Sequence, residues 1–245
     1  MNIVHILRHP LKSHGREALS AVALRTGEAM PWDRVWAVAH DASKADGSAW
    51  AQCANFSRGS KAPQLLAISS TLDEATETLS LKHPDRPDLT FHPDTEGDRL
   101  IAWVSPLVPQ DRALPDRILR LDGRGFTDSD FPSITLCNLA SHRAVEQHLG
   151  RELSIHRWRG NLWFDGNLPW IEFDWMGRDI RIGDSVLRVR ERTDRCLATT
   201  ANPDTGERDA DILGTLKHWN HQDFSVRAEV IQGGSIALGD PVTVL

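Results

Sequence analysis

Apolar positions along this chain fall in short runs broken by Pro, Asp and Gly, and few of the runs carry a helical period. Residues 2–7, rich in Ile, Val and Leu and stopped by Pro10, predict a buried first strand. Val35–Val38 predicts another, with Arg34 at its entrance. From Gln64 to Val104 the runs LLAIS, TLSLK, LTFHP and LIAWV alternate with polar clusters, the spacing of antiparallel strands in a small barrel or curled sheet. Ile118–Leu121 and Val186–Glu191 are further strand candidates, and Ile182-Gly183-Asp184 and Leu238-Gly239-Asp240 read as strand-to-strand turns. Helical spacing is confined to three places: part of Asp41–Phe56, Ala140–Leu149 ending at Gly150, and a short stretch over Asp211–Trp219. The pattern predicts a mainly β (α+β) fold.

Ser105–Arg117 contains three prolines and is the natural linker, which divides the chain into 1–117 and 118–245. A chain of 245 residues with 40% hydrophobic content can fill two modest cores. The net charge of −6, with no long cationic run, argues against nucleic-acid partners, so any basic pocket is local. Cys53, Cys137 and Cys196 are too scattered for a disulfide framework or a CxxC site, which favours a reducing compartment. Cys53 and Cys137 read as core packing. No run approaches the roughly 18 apolar residues that span a bilayer, and the start lacks a secretory signal, so a soluble, cytoplasmic protein without a membrane partner is expected.

Candidate chemistry concentrates in Asp194–Asp209, DRCLATTANPDTGERD. Cys196 follows Arg195 and precedes a turn specified by Asn202, Pro203, Asp204 and Gly206. A guanidinium beside a thiol favours the thiolate, the form that attacks electrophiles or binds soft metals, although most free cysteines are simply small buried side chains. Lys12 and Ser13, just past the first strand, suit either an anion cradle or a solvated turn. In the stretch His156–Leu162, strand alternation sends Arg157, Arg159 and Asn161 to one face, as anion donors or as a solvated outer surface.

The segment RCLATTANPDTGERD closely resembles the metal-binding stretch of MOSC-domain proteins, and within them the amidoxime-reducing branch. That resemblance implies a MOSC-type β-barrel with a few helices behind a smaller N-terminal β-barrel-like domain. It implies Cys196 as the sulfur ligand to molybdenum and the catalytic centre. The Pro-x-Lys-Ser at Pro10–Ser13 and the Asp-Arg at Asp33–Arg34 match the family's cofactor contacts, which implies roles for Lys12, Ser13 and Arg34. Thr127, Asp128 and Ser129 fall in the family's hydroxyl-rich loop. Arg159 and Asn161 match its Arg-x-Arg-Pro-Asn, with Gly160 in place of the proline and a looser backbone expected there. Asp194, beside Arg195, and Arg227 stand where the mitochondrial enzymes carry a small polar residue and a tyrosine near the cofactor, and an acid beside Cys196 opposes thiolate formation.

The implied cofactor is a molybdenum-pyranopterin (molybdopterin). The implied activity is reduction of N-hydroxylated small-molecule substrates such as amidoximes and hydroxylamines by oxygen-atom removal. Three dispersed cysteines cannot ligate a plant-type cluster, so a separate electron donor is expected: a ferredoxin, a cytochrome b5-like protein or a flavin reductase. The alternative is a protein that binds, carries or sulfurates the cofactor without turnover. A metal-free cysteine nucleophile is a third reading, with a base drawn from His156, His218 or His221.

Overall fold

A computed structural model describes residues 1–245. The chain enters through β1 (Ile3–Arg8), β2 (Glu17–Leu19), β3 (Ala21–Leu24) and β4 (Trp36–His40). A meander of β5 (Ser69–Asp73), β6 (Thr78–His83) and β7 (Arg86–Phe91) leads to helix α1 (Gly97–Val104) and β8 (Pro115–Arg120). Then come β9 (Ile134–Asn138), helix α2 (Leu139–Leu149), β10 (Leu162–Phe164), β11 (Asp179–Ile182) and β12 (Ser185–Asp194). Helix α3 (Ile212–Lys217), β13 (Asp223–Gln232), β14 (Gly234–Ala237) and β15 (Val242–Val244) complete it. Fifteen strands against three α-helices, none longer than 11 residues, make the fold mainly β, as the pattern predicted.

Eight strands form one sheet in the order β15-β11-β12-β13-β9-β10-β1-β2, antiparallel except where β10 runs parallel to β9. Alternation builds it. In β13, Val226, Ala228 and Val230 point into a core shared with Val189 and Leu187 of β12, while Arg227 and Glu229 face outward. Cross-strand charge pairs, Arg190–Glu229 and Arg227–Glu191, each at 2.5 Å, line that outer face.

The N-terminal stretch contributes to both halves. β1 sits inside the large sheet and β3 pairs with β14, whereas β4 pairs with β8 and β5-β6-β7 stands as its own antiparallel sheet. A second core of 17 buried residues, close in size to the 20 of the first, fills the space beneath β4 to β7 and α1, so each half carries its own apolar interior. The linker expected at 105–117 returns directly into β8, and the 117/118 division falls inside that strand.

Three local expectations change. LIAWV is helical, because Leu100, Trp103 and Val104 share one buried helix face, and a five-residue apolar run carries no period that separates helix from strand. Asp41–Phe56 holds no α-helix, only a 3₁₀ turn at Cys53–Asn55. There Asp41, Ser43 and Asp46 accept hydrogen bonds from backbone amides of Ala42, Ala45 and Ser48, which competes with the helical ladder. His156–Asn161 is no strand: Ile155–Trp158 forms a 3₁₀ turn, Arg159 is left-handed, and pairing resumes only at Leu162. The helix α2 forms as expected, capped by the Asn138 side chain and closed at Gly150 (φ 68°) by bonds from Gly150 to Gln147 and from Arg151 to Glu146.

Candidate functional site

A cleft between the two halves gathers Lys12, Ser13, Arg34, Thr127, Arg159, Asn161, Asp194, Arg195, Cys196 and Arg227 from segments far apart in sequence. Seven of its lining side chains are Lys or Arg and two are Asp, in a protein of net charge −6. Cys196 is exposed at this cleft, while Cys137 is fully buried and its thiol is pushed up to about 12 by burial. Cys53, expected in the core, is half-buried and lines the cleft.

The thiol side is built locally. Cys196 precedes a 3₁₀ turn, Leu197–Thr200, and its carbonyl accepts from the Thr199 amide and hydroxyl. The chain then reverses: the Asp204 amide donates to the Asn202 side chain and the Gly206 amide to the Asn202 carbonyl. Gly206 is left-handed (φ 72°), and a Cβ there would meet the Gln64 Cα at 2.7 Å. Arg157, read as either an anion donor or part of a solvated face, is buried at the edge of the cleft and braces this reversal, pairing with Asp209 at 2.6 Å and donating to the Thr200 carbonyl. The alternation that predicted otherwise is absent.

Arg195 is buried and donates to the Phe224 carbonyl and the Ser225 hydroxyl, both at 3.1 Å. It lies over the rings of Trp158 and Phe224, which stack on each other at 3.6 Å. Burial pushes its guanidinium down to about 10, and the thiols of Cys137 and Cys196 partly oppose that. Gln222 donates to Asp194 at 3.3 Å and to the Arg195 carbonyl at 2.7 Å, which fixes the backbone leading to Cys196.

The opposite side is assembled from three left-handed residues, Ser13 (φ 63°), Arg34 (φ 56°) and Arg159 (φ 49°). Non-glycine residues in this region cost on the order of 1–3 kcal/mol each and persist only where the surroundings impose them. Arg34 donates to the Arg159 carbonyl at 2.9 Å, and Arg159 donates through one terminal nitrogen to the Gly15 carbonyl at 3.1 Å. The other terminal nitrogen of Arg159, Nη2, is buried without a partner. Burial and the neighbouring Arg34 push Arg159 down to about 9. Gly160 does not loosen this backbone: its position lets Cys137 Sγ pack where a Cβ would lie 2.1 Å away.

Four of the cleft's cations have carboxylate partners: Lys12 with Asp128, Arg34 with Asp33, Arg157 with Asp209 and Arg227 with Glu191. Arg58, Arg159 and Arg195 have none. Asp33 is fully buried; burial drives its carboxyl up, but Arg34 and the bonds from His9 outweigh that and hold it below the ordinary range. The nearby imidazoles are neutral, because burial pushes His9 down to about 3 and His14 and His156 to about 4, with Arg159 adding to the effect on each.

Two expected contacts differ. Ser129 lies outside the cleft lining, bonded to the Phe131 carbonyl and Ser133, and the Thr127 hydroxyl accepts from Arg124 at 2.6 Å; the loop uses these hydroxyls to hold its own shape. Asn161 lines the cleft, but its amide is committed to the Thr135 amide and the Leu7 carbonyl, which makes it a strap under Arg159. Arg58, Gly59 and Ser60 were missed, and Arg58-Gly59-Ser60-Lys61 is the basic, glycine-containing cluster that could have marked them. No histidine lines the cleft, so the third reading, a metal-free nucleophile at Cys196, finds no imidazole base there.

Residues 1–105 match the MOSC N-terminal beta barrel domain and residues 125–243 match the MOSC domain. A molybdenum cofactor sulfurase from Drosophila grimshawi is 26% identical over 61% of this chain, which spans 21% of the sulfurase. Mitochondrial amidoxime-reducing component 1 from Mus musculus is 25% identical over 92% of this chain and 75% of its own length. Among solved structures, the YUAD protein from Bacillus subtilis aligns with a TM-score of 0.45 at 10% identity, covering 98% of this chain and 93% of that one. With both domains in tandem and a cysteine-bearing cationic cleft between them, the chain belongs to the MOSC-domain family.

Proposed function

We propose that the protein is a molybdenum-cofactor-dependent reductase of N-hydroxylated compounds. The observation that carries this reading is the pairing of exposed Cys196 with Arg58, Arg159 and Arg195, three guanidiniums that lack carboxylate partners in the same cleft. Cations without counterions around one cleft, with Arg195 buried and Arg58 and Arg159 half-buried, suit an anionic occupant, and the buried, unpartnered Arg159 Nη2 is a donor already in place for one. A thiol presented beside a cation suits a soft metal. The donor set therefore fits a phosphate-bearing pyranopterin that carries molybdenum.

Arg159 and Arg34 would hold the phosphate end through charge-assisted hydrogen bonds, with Lys12 and Ser13 beside them. Cys196 would supply the protein's thiolate to the metal, while Arg195, fixed between aromatic faces and the Ser225 hydroxyl, keeps positive potential next to that sulfur. The two-electron oxygen-atom chemistry belongs to the bound cofactor. Asn161 and Gln222 set the backbone on either side, so the two ends are held at a fixed separation.

Electrons would come from a separate protein donor. The test is to express the protein with molybdate, measure bound molybdenum, then supply a reduced dye and benzamidoxime. Benzamidine formation supports the reductase. Bound molybdenum without benzamidine favours a carrier or sulfur-transfer role, which the same anchors serve. Metal content unchanged in Cys196→Ser would remove the ligand role altogether.

A further inference from the structure

Behind the segment that carries Cys53, Gly59 and Ser60 on the cleft lies a second cavity of about 180 Å³, and Arg58 lines both. Its wall holds no acidic residue. It presents Arg58, Lys61 and Arg112 beside the apolar surfaces of Phe56 and Val108. Arg58 donates only to Cys53 Sγ, at 3.4 Å, and the sole carboxylate near Arg112 is the exposed, adjacent Asp111 at 3.6 Å. Ser57 lines the same cavity at 7% exposure, and its hydroxyl has no hydrogen-bond partner. Nδ1 of His40, another wall residue, is likewise buried and unpartnered, while its Nε2 lies 2.7 Å from the Ala54 carbonyl.

Unsatisfied buried polar atoms are uncommon and call for an occupant. Three cations without a buried counterion specify its charge, and Phe56 and Val108 specify its body. We propose that this cavity is a binding site for a small carboxylate with an apolar body, separate from the larger cleft and joined to it through Arg58. The carboxylate meets Lys61, Arg112 and Arg58, the Ser57 hydroxyl donates to it, and the hydrocarbon part packs on Phe56 and Val108. Nothing in this assignment depends on molybdenum.

Calorimetric titration of the full chain with benzoate and with its neutral counterpart benzamide, at constant ionic strength, tests it. Benzoate is expected to bind at one site at least about tenfold more tightly than benzamide, the scale of one hydrogen bond to a charged group. Both Lys61 and Arg112 are exposed, so the double variant Lys61→Ala/Arg112→Ala keeps its fold and is expected to weaken benzoate by about tenfold or more. Arg159→Gly is expected to leave benzoate affinity unchanged. The proposal is overturned by absence of benzoate binding, by equal affinity for benzamide, by full affinity in the double variant, or by loss of benzoate in Arg159→Gly, which would place the ligand in the larger cleft.

Discussion

The two sides of the cleft are built by opposite means. Around Cys196, one continuous stretch supplies the thiol and the turn that carries it, with Arg157 bracing the turn from another segment, and the stretch's one positive-φ position is a glycine. Facing it, Ser13, Arg34 and Arg159 arrive from three distant segments, all in left-handed backbone, with the Arg34 guanidinium donating to the Arg159 carbonyl. The thiol-bearing stretch is free of non-glycine backbone strain and the facing side stores it, while each side holds a guanidinium without a carboxylate, Arg195 on one and Arg159 on the other. The contrast locates function on both, but by different signs: accessibility of sulfur on one, strained backbone beneath cations on the other.

The largest expected effect tests the thiol side. Cys196→Ser removes a soft ligand from an exposed position that packs against no core, so bound molybdenum is expected to fall to near zero while the unfolding temperature stays put. Metal analysis with a thermal melt reads both. Loss of fold together with metal would mean that this side is not the relaxed one.

Next in size is a comparison of two cations. Lys12 is buried, donates to the Phe126 carbonyl at 2.7 Å and pairs with Asp128, so Lys12→Met is expected to cost about 1–3 kcal/mol of stability. Arg159→Gly removes an uncompensated charge and relieves a left-handed residue, so stability is expected to hold or rise. Both are expected to weaken cofactor retention by about tenfold or more. Urea unfolding of the metal-free proteins separates them, and equal destabilisation would erase the distinction between paired and unpaired cations.

An effect read from pH alone follows from the neutral imidazoles near Arg159. His9 is held at about 3 and His14 and His156 at about 4, against ~6.5 in the unfolded chain. Because the unfolded chain takes up these protons first, the stability they contribute is complete above pH 6.5 and is lost as pH falls toward 4. The slope is at most ~1.4 kcal/mol per pH unit for each group. Urea midpoints are expected to drop between pH 7 and pH 5, and His9→Gln is expected to flatten the drop. A midpoint independent of pH over that range would contradict the burial of these rings.

What the sequence disclosed divides along the same line. The turn at Asn202–Gly206, the helix closing at Gly150 and the strand pair around Gly183 are written in residues that act on their own neighbours, so they were legible. Arg159 and Asn161 were found by resemblance, yet the strand assumed for them was wrong, because a 3₁₀ turn and one left-handed residue depend on Cys137, Gly15 and Leu7 from other segments. Asn161 as a strap and Arg157 as a brace were invisible for that reason. So was Arg58, which lines the cleft from the loop that follows the 3₁₀ turn at Cys53–Asn55.

The smallest predicted effect concerns Asp194, the acid next to the thiol segment. It is exposed, and it accepts only a 3.3 Å bond from Gln222, which is independently held by the Arg195 carbonyl at 2.7 Å. An exposed charge acts through water, where even a contact at about 4 Å is worth only ~1 kcal/mol and salt screens it further. Arg195, the residue before Cys196, is buried and stacked, so its charge is screened less than that of Asp194. Asp194→Asn keeps the bond from Gln222 and removes only the charge. The rate of Cys196 alkylation by iodoacetamide is therefore expected to rise by no more than about threefold at low salt and to converge with the parent at high salt. A rise of about tenfold or more, persisting in salt, would place the carboxylate inside the thiol's immediate surroundings and make the relaxed side of the cleft the more strongly tuned one.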